Sequence, residues 1–332
     1  MERLALCLIL VFAVCLVVYL HFFFLITEDI KGADVYHYWL EGNRILSGQN
    51  PYARILSGDM RDNNKYATHF PLFYLLSALA QKAGLADYGT WVYFWRIVFP
   101  FFNLGIAFLL FIVFYRRKWL IFSIFAPLFW LFNRWTIDLI RITQIDFIPI
   151  FFLLLSVVIF RTRKWPSFLF FSISLAIKGL AIFLAPLYLI WFWHSMDKRS
   201  LKKLSLAAFA ISSVPLLTSL PFIFWNAEGF LKAILFNVTR DAMLHFRIFS
   251  IDYIIHLSGF CARLPMLGLM ALVYIGAIQK KVGLYMGALL LISIFICFST
   301  VLFRQYMCWV IPFVPLSVLD TLPNGKAKAG AA

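Results

Sequence analysis

Residues 4–26 read LALCLILVFAVCLVVYLHFFFLI. No Asp, Glu, Lys or Arg interrupts them. As a helix, the run reaches about 34 Å, enough for the ~30 Å hydrocarbon core of a bilayer. It is too long for the apolar centre of a signal peptide, and no small-residue cleavage site follows it. It predicts a retained first membrane span. The whole chain agrees with that reading. Of 332 residues, 63% are hydrophobic, 38 are Phe and only 14% are charged, against about 25% charged in ordinary soluble domains. Mean hydropathy is +0.87. A soluble fold could not hide so much apolar surface, and the expected fold class is all-α, a polytopic transmembrane helix bundle.

The basic clusters set the topology. Arg116 to Lys118, Arg161 to Lys164, Lys198 to Lys203 and Lys280-Lys281 interrupt the apolar runs. Cytoplasmic loops collect Lys and Arg, so all of these, with the N-terminus, Lys326 and Lys328, are expected inside. About ten spans satisfy that rule, at 5–26, 92–115, 119–133, 144–160, 165–179, 180–196, 204–225, 262–279, 283–302 and 306–320. Segments 71–84 and 249–260 are expected as outer juxtamembrane or re-entrant helices. The domain plan is one membrane domain over 1–322, with outer loops at 27–91 and 226–261, and a disordered tail at 323–332.

The net charge of +15 is then mostly an orientation signal. The inside set holds fifteen basic and three acidic residues, and the rest of the chain fifteen and twelve. No nucleic-acid motif is present and no nucleic-acid partner is expected. The five cysteines sit in apolar runs without metal or disulfide spacing and read as packing residues.

The outer side collects the polar residues. Residues 31–52 read KGADVYHYWLEGNRILSGQNPY, and Val35 to Leu46 form a short amphipathic helix with Tyr38, Trp39, Ile45 and Leu46 toward the membrane. Asp34 either caps that helix or does chemistry. Gln144 and Asp146 fall between two spans, Lys178 lies alone in an apolar stretch, and Arg304-Gln305-Tyr306 opens the last span. Lys178 reads as a snorkelling lysine, a phosphate contact or the partner of a buried acid such as Asp146. His37 and His69 read as structural or substrate-orienting rather than metal ligands, since no metal-ligand spacing joins them. Arg44 and Arg54 read as solvated loop charges. Cations and a carboxylate converging on one end of a bundle suit an anionic, lipid-linked substrate.

Several stretches together resemble the GT-C superfamily of membrane glycosyltransferases, and especially family 87, the polyprenyl-phosphate-mannose-dependent mannosyltransferases. Asp34, followed by Tyr36, Tyr38 and Trp39 and by Gly48-Gln49-Asn50-Pro51-Tyr52, is similar to the family's first outer loop. YATHFPLFYLL, TQIDFIPIFFLLLS, ISLAIKGLAIFLAPLYL and FRQYMCWVIPFVPL resemble later segments, with Thr143 where Gly is usual before Gln144. The resemblance implies a GT-C-like bundle with its site on the outer membrane face, and a plasma membrane is the expected location. It implies inverting transfer of a sugar, most often mannose, from a polyprenyl-phosphate donor to a lipid or glycan acceptor, without a metal or other cofactor. Asp34 would be the catalytic base. Lys178, Arg240, Arg247 and Arg304 would bind the donor phosphate. Tyr36, His37, Trp39, His69, Gln144, Asp146, His245 and Gln305 would contact substrate. The rival classes are a lipid or glycolipid transporter or flippase, and a non-catalytic membrane scaffold.

Overall fold

The structure is a computed structural model that describes residues 2–24, 34–58, 66–239, 251–254, 261, 263–299 and 303–321. It is all-helical among the described residues, without a strand. In chain order the helices are α1 (Glu2–Phe23), α2 (Asp34–Leu46), α3 (Leu72–Lys82), α4 (Tyr88–Arg116), α5 (Leu120–Phe132), α6 (Arg134–Arg141), α7 (Phe147–Ile159) and α8 (Lys164–Ile177). They continue with α9 (Ala185–His194), α10 (Leu201–Trp225), α11 (Ala227–Thr239), α12 (Ile251–Ile254), α13 (Arg263–Ile278), α14 (Leu284–Cys297), α15 (Arg304–Val310) and α16 (Phe313–Thr321). Short 3-10 turns cover Ala53–Leu56 and Gly179–Leu184.

Three helices among the described residues, in α1, α4 and α10, are long and apolar enough to cross a membrane. A fourth appears if α5 and α6, bent by 44° at their junction, act as one span. Phe12, Phe101 and Phe224 are 70%, 71% and 84% exposed. On a soluble monomer such rings would form adhesive patches; on these helices they belong against lipid tails, as expected of a membrane protein. The further apolar helices, such as α7, α8 and α14, are 13 or 14 residues long, roughly 20 Å each.

Helix ends follow local rules. Several helices stop in a Schellman motif, with the residue after the C-cap in the left-handed region. Gly48 (φ +70°) ends α2 and Gly84 (φ +108°) ends α3, where glycine costs nothing. Lys118, Thr143 and Lys280 take the same role at φ +60°, +51° and +60°. At Thr143 the motif is complete: its N–H donates to Ile140 O (3.2 Å) and the Gln144 N–H donates to Leu139 O (3.1 Å).

Polar side chains knit the apolar helices together, as expected where interhelical hydrogen bonds add to close packing. His21 of α1 offers its carbonyl to Arg96 of α4 and its ring nitrogen Nε2 to Asn103 (3.1 Å). Trp130 of α5 donates to Asn103 Oδ1 at 2.8 Å. Ser156 of α7, Ser167 of α8 and Tyr188 of α9 form a second buried cluster. Helix α7 packs on α8 and α4, and α8 packs on α10.

Helices α2 and α3 form a hairpin that rests on this bundle through α4 and α8. Val35, Tyr38, Glu41 and Gly42 make the buried face of α2, at the three- and four-residue spacing of one helix side. A Cβ at Gly42 would come within 2.9 Å of the Ala78 backbone nitrogen and 2.7 Å of Gln81 Nε2, so only glycine admits this approach of α3. Gln81 Nε2 then donates to Trp39 O (2.8 Å) and Ser77 Oγ (3.2 Å). The expectation that Tyr38 faces the membrane is corrected. It is 5% exposed and packs on Phe73, Tyr74 and His69. Arg44 and Arg54 are corrected too: both donate to Glu41 Oε1, the latter at 3.1 Å, and Glu41 is 1% exposed. A buried carboxylate needs partners, and these two guanidinium groups supply them. Of segment 249–260, only the four residues of α12 fall within the described ones.

Candidate active site

Two carboxylates organise the end of the bundle beneath the α2–α3 hairpin. The loop between α6 and α7 carries Gln144 and Asp146, held in place by the Schellman turn at Thr143. Asp146 precedes α7 and has no measurable exposure. Lys178 occupies the break between α8 and the following 3-10 turn, in extended backbone (φ −144°, ψ 122°), and is 3% exposed. Its Nζ donates to both oxygens of Asp146, at 2.7 and 2.8 Å. Trp309 Nε1 of α15 donates to Asp146 Oδ1 at 2.6 Å. The ammonium also lies 5.6 Å from the Tyr306 ring centroid, in reach of its π face. A charge pair this dry is tolerated only when its hydrogen bonds are made, and here both partners are held.

The second carboxylate is Asp34, in the first turn of α2 and half-buried. Its Oδ2 accepts from Gln144 Nε2 at 3.1 Å and from Gln305 Nε2 at 3.2 Å. Residues 110 and 271 positions away thus hold one oxygen. Gln144 Oε1 is buried and has no hydrogen-bond partner. It is an acceptor beside Asp34 with its capacity unused.

His69 belongs to the same cluster. It stacks on Tyr38 with centroids 6.1 Å apart. Burial drives its pKa down to about 3, helped by the Lys178 charge and opposed by Asp34. Its imidazole is therefore neutral near pH 7 and can both donate and accept. Burial, then the Asp34 charge, push the Tyr38 phenol well above its ordinary value, so it remains an O–H donor. The Gly48–Tyr52 turn serves this arrangement from outside. Asn50 Oδ1 accepts from the Tyr52 N–H at 3.0 Å, and the Tyr52 hydroxyl donates to His69 O at 2.7 Å. The Tyr52 ring packs on Phe222 and Phe230, tying the loop to α10 and α11.

Of the residues singled out in the sequence, Asp34, His69, Gln144, Asp146, Lys178 and Gln305 come together here. Tyr36 and Trp39 do something else: they pack on each other and on Tyr88 at the start of α4, and Trp39 Nε1 donates to Ala86 O at 3.1 Å. His37 contacts the Tyr36 ring edge-on. Arg240, His245 and Arg247 lie outside the described residues, as does the side chain of Arg304, whose backbone opens α15. Three contributors were not selected from the sequence: Tyr38, Tyr306 and Trp309. For Trp309 a signal existed, since the spacing of Gln305 and Trp309 in RQYMCWV places both on one helix face. Among the described residues, no group of three or more His, Cys, Asp or Glu is placed to hold a metal ion. No protein-family model matches the chain, and no curated protein matches it.

Proposed function

We propose that this protein is a membrane glycosyltransferase of the GT-C type. It moves a sugar, mannose in the simplest reading, from a polyprenyl-phosphate donor to a lipid or glycan acceptor. Asp34 takes the proton of an acceptor hydroxyl while that oxygen attacks the anomeric carbon. The bond from that carbon to the phosphate oxygen breaks, polyprenyl phosphate leaves with the electron pair, and the configuration inverts. No metal is invoked. The proposal includes about ten membrane crossings, a plasma-membrane location and a site on the outer face. The basic clusters, which sit at the opposite helix ends from Asp34 and Asp146, support that orientation.

The observation that carries the reading is the setting of Asp34. Two carboxamides orient one carboxylate oxygen, and the spare acceptor of Gln144 and the neutral His69 stand beside it. Neutral donors and acceptors around a carboxylate suit the hydroxyls of a sugar. Lys178 has three N–H donors and Asp146 takes two, which leaves one for a phosphate oxygen. Arg240, Arg247 and Arg304 are the further phosphate contacts of this proposal. An open apolar groove of about 620 Å³, lined by Leu85, Gly89, Thr90, Tyr93, Phe94 and Ile97, offers the isoprenoid chain a bed on α4. It begins one residue from Tyr88, against which Tyr36 and Trp39 pack.

The test is transfer of radiolabelled mannose from polyprenyl-phosphate-mannose to membrane lipids by purified protein. Asp34→Asn keeps the shape and removes the base, and a loss of about 10²- to 10⁴-fold is expected. Equal transfer by a folded Asp34→Asn protein would remove Asp34 from the chemistry.

A further inference from the structure

The opposite end of α7 and α8 carries a second polar site that sugar transfer does not use. A cavity of about 230 Å³ is lined by Phe160, Arg161, Lys164, Trp191, Ser195 and Leu284. It lies one helix length from the Lys178–Asp146 pair, roughly 20 Å along α7. Three parts of the fold meet there: the turn from α7 to α8, the end of α9 and the start of α14.

Its lining is chemically biased. Lys164 reaches across to α9, donating to Ser195 O at 3.0 Å and lying 6.0 Å from the Phe192 ring centroid. Two of its N–H donors remain. Arg161 is half in solvent and its nearest acid is Asp320, at 3.6 Å. That distance is long for an ion pair, and solvent screens the half-exposed guanidinium although Asp320 is largely buried, so the arginine is held weakly. The other Asp320 oxygen is committed elsewhere, accepting the Tyr285 and Met286 N–H groups at 2.8 and 2.9 Å at the start of α14. Trp191 Nε1 is buried and has no hydrogen-bond partner, and so are both ring nitrogens of His194, whose ring lies 6.1 Å from that of Trp191. A buried indole N–H normally finds an acceptor. The cavity thus joins two cations to an unused donor, and the acid beside Arg161, Asp320, is held at the start of α14.

We infer that this cavity binds a phosphate group, carried either by an anionic phospholipid or by a soluble phosphate. Arg161 and Lys164 would meet the oxyanion, and the Trp191 N–H would take one oxygen. Phe160 and Leu284 give an apolar wall to the first ester carbons of a lipid. The volume exceeds the ~30 Å³ of one water severalfold, so a phosphate fits with room for its ester carbons. Basic cavities between helix ends are suited to such headgroups. The inference stands on this cavity alone and does not depend on what happens at Asp34.

The test uses the full chain in nanodiscs and reads its unfolding temperature. Three conditions are compared: phosphatidylcholine alone, phosphatidylcholine with phosphatidylglycerol, and phosphatidylcholine with inorganic phosphate in the buffer. A ligand that binds only the folded state raises the midpoint. The wild type should gain a few degrees in at least one of the last two conditions, and which one names the source of the phosphate. The double variant Arg161→Gln/Lys164→Gln should lose most of that gain. Lys198→Gln/Lys202→Gln, in the neighbouring basic loop, should keep it. An equal loss in both double variants, an unchanged gain in the first, or no gain in the wild type overturns the site. Should the first double variant fail to fold, Trp191→Phe keeps the ring and removes the N–H. A gain reduced at least twofold then supports the site, and an unchanged gain overturns it.

Discussion

Gln305 and Trp309 stand one helical turn apart on α15, and each donates to a different carboxylate. Gln305 holds Asp34 at 3.2 Å and Trp309 holds Asp146 at 2.6 Å. One face of a seven-residue helix thereby sets the relation between a half-buried acid and a fully buried one. The two bonds differ in kind. Trp309 serves a buried charge pair, so its loss is a loss of stability. Gln305 serves the half-buried acid, so its loss is a loss of orientation.

That difference is measurable. Trp309→Phe keeps a smaller aromatic ring and removes the donor to Asp146, and should cost about 1–3 kcal/mol for the lost hydrogen bond, with the cost of the vacated volume added. Gln305→Leu should change the unfolding midpoint little and, on the sugar-transfer reading, lower the turnover rate at least tenfold with a smaller change in KM. Thermal unfolding of both variants, set beside transfer assays, checks the split. If both variants fail in the same assay, α15 acts as a simple brace.

The Lys178–Asp146 pair predicts a non-additive result. Lys178→Met leaves Asp146 as a buried charge with only Trp309 to face it, and Asp146→Leu strands the ammonium. Each should cost about 3–5 kcal/mol. The double variant Lys178→Met/Asp146→Leu removes both charges and should recover most of that loss. Denaturation in detergent with all four proteins gives the coupling. Additive losses would mean that the two side chains do not depend on each other.

The sequence told more about which residues matter than about how they are held. Asp34, Gln144, Asp146, Lys178 and Gln305 could be gathered because ionisable and amide groups are conspicuous in apolar surroundings, and the basic clusters place these five together at the other end. Tyr38 was misplaced because an aromatic residue on an amphipathic helix suits a membrane and a protein neighbour equally. Only the close approach of α3 at Gly42 decides between them. Arg44 and Arg54 looked solvated because nothing in the sequence marks Glu41 as buried. Helical structure was legible from apolar run length. The break at Lys178, which lets its Nζ reach back to Asp146, depends on tertiary packing and has no local signature beyond Lys-Gly.

Thr143 predicts a stabilising substitution. A β-branched residue in the left-handed region is a costly choice, by about 1–2 kcal/mol. Its hydroxyl is buried without a partner, so it adds no compensating bond. Thr143→Gly removes both penalties and adds about 0.5–1 kcal/mol of chain entropy cost. The net expectation is a gain near 1 kcal/mol, read as a midpoint raised by a few degrees. A lower midpoint would show that the Thr143 methyl packing outweighs backbone strain.

His69 predicts a pH dependence with a definite sign. Its folded pKa is about 3, against 6.5 for the free side chain. Above pH 6.5 both states are neutral and its contribution is fully present. As pH falls from 6.5 toward 3, the unfolded chain takes up the proton first, so folding stability drops by up to about 1.4 kcal/mol per pH unit. Glu41 works in the other direction. Burial raises its pKa despite Arg44 and Arg54, so its folded form binds a proton more readily and acidification favours folding through this group. The raw pH profile therefore mixes opposed slopes. Comparing wild type with His69→Phe, which keeps a ring to stack on Tyr38, isolates the histidine. Between pH 7 and pH 5 the wild type should lose more stability than the variant, and a parallel fall in both would show that His69 takes its proton as easily folded as unfolded.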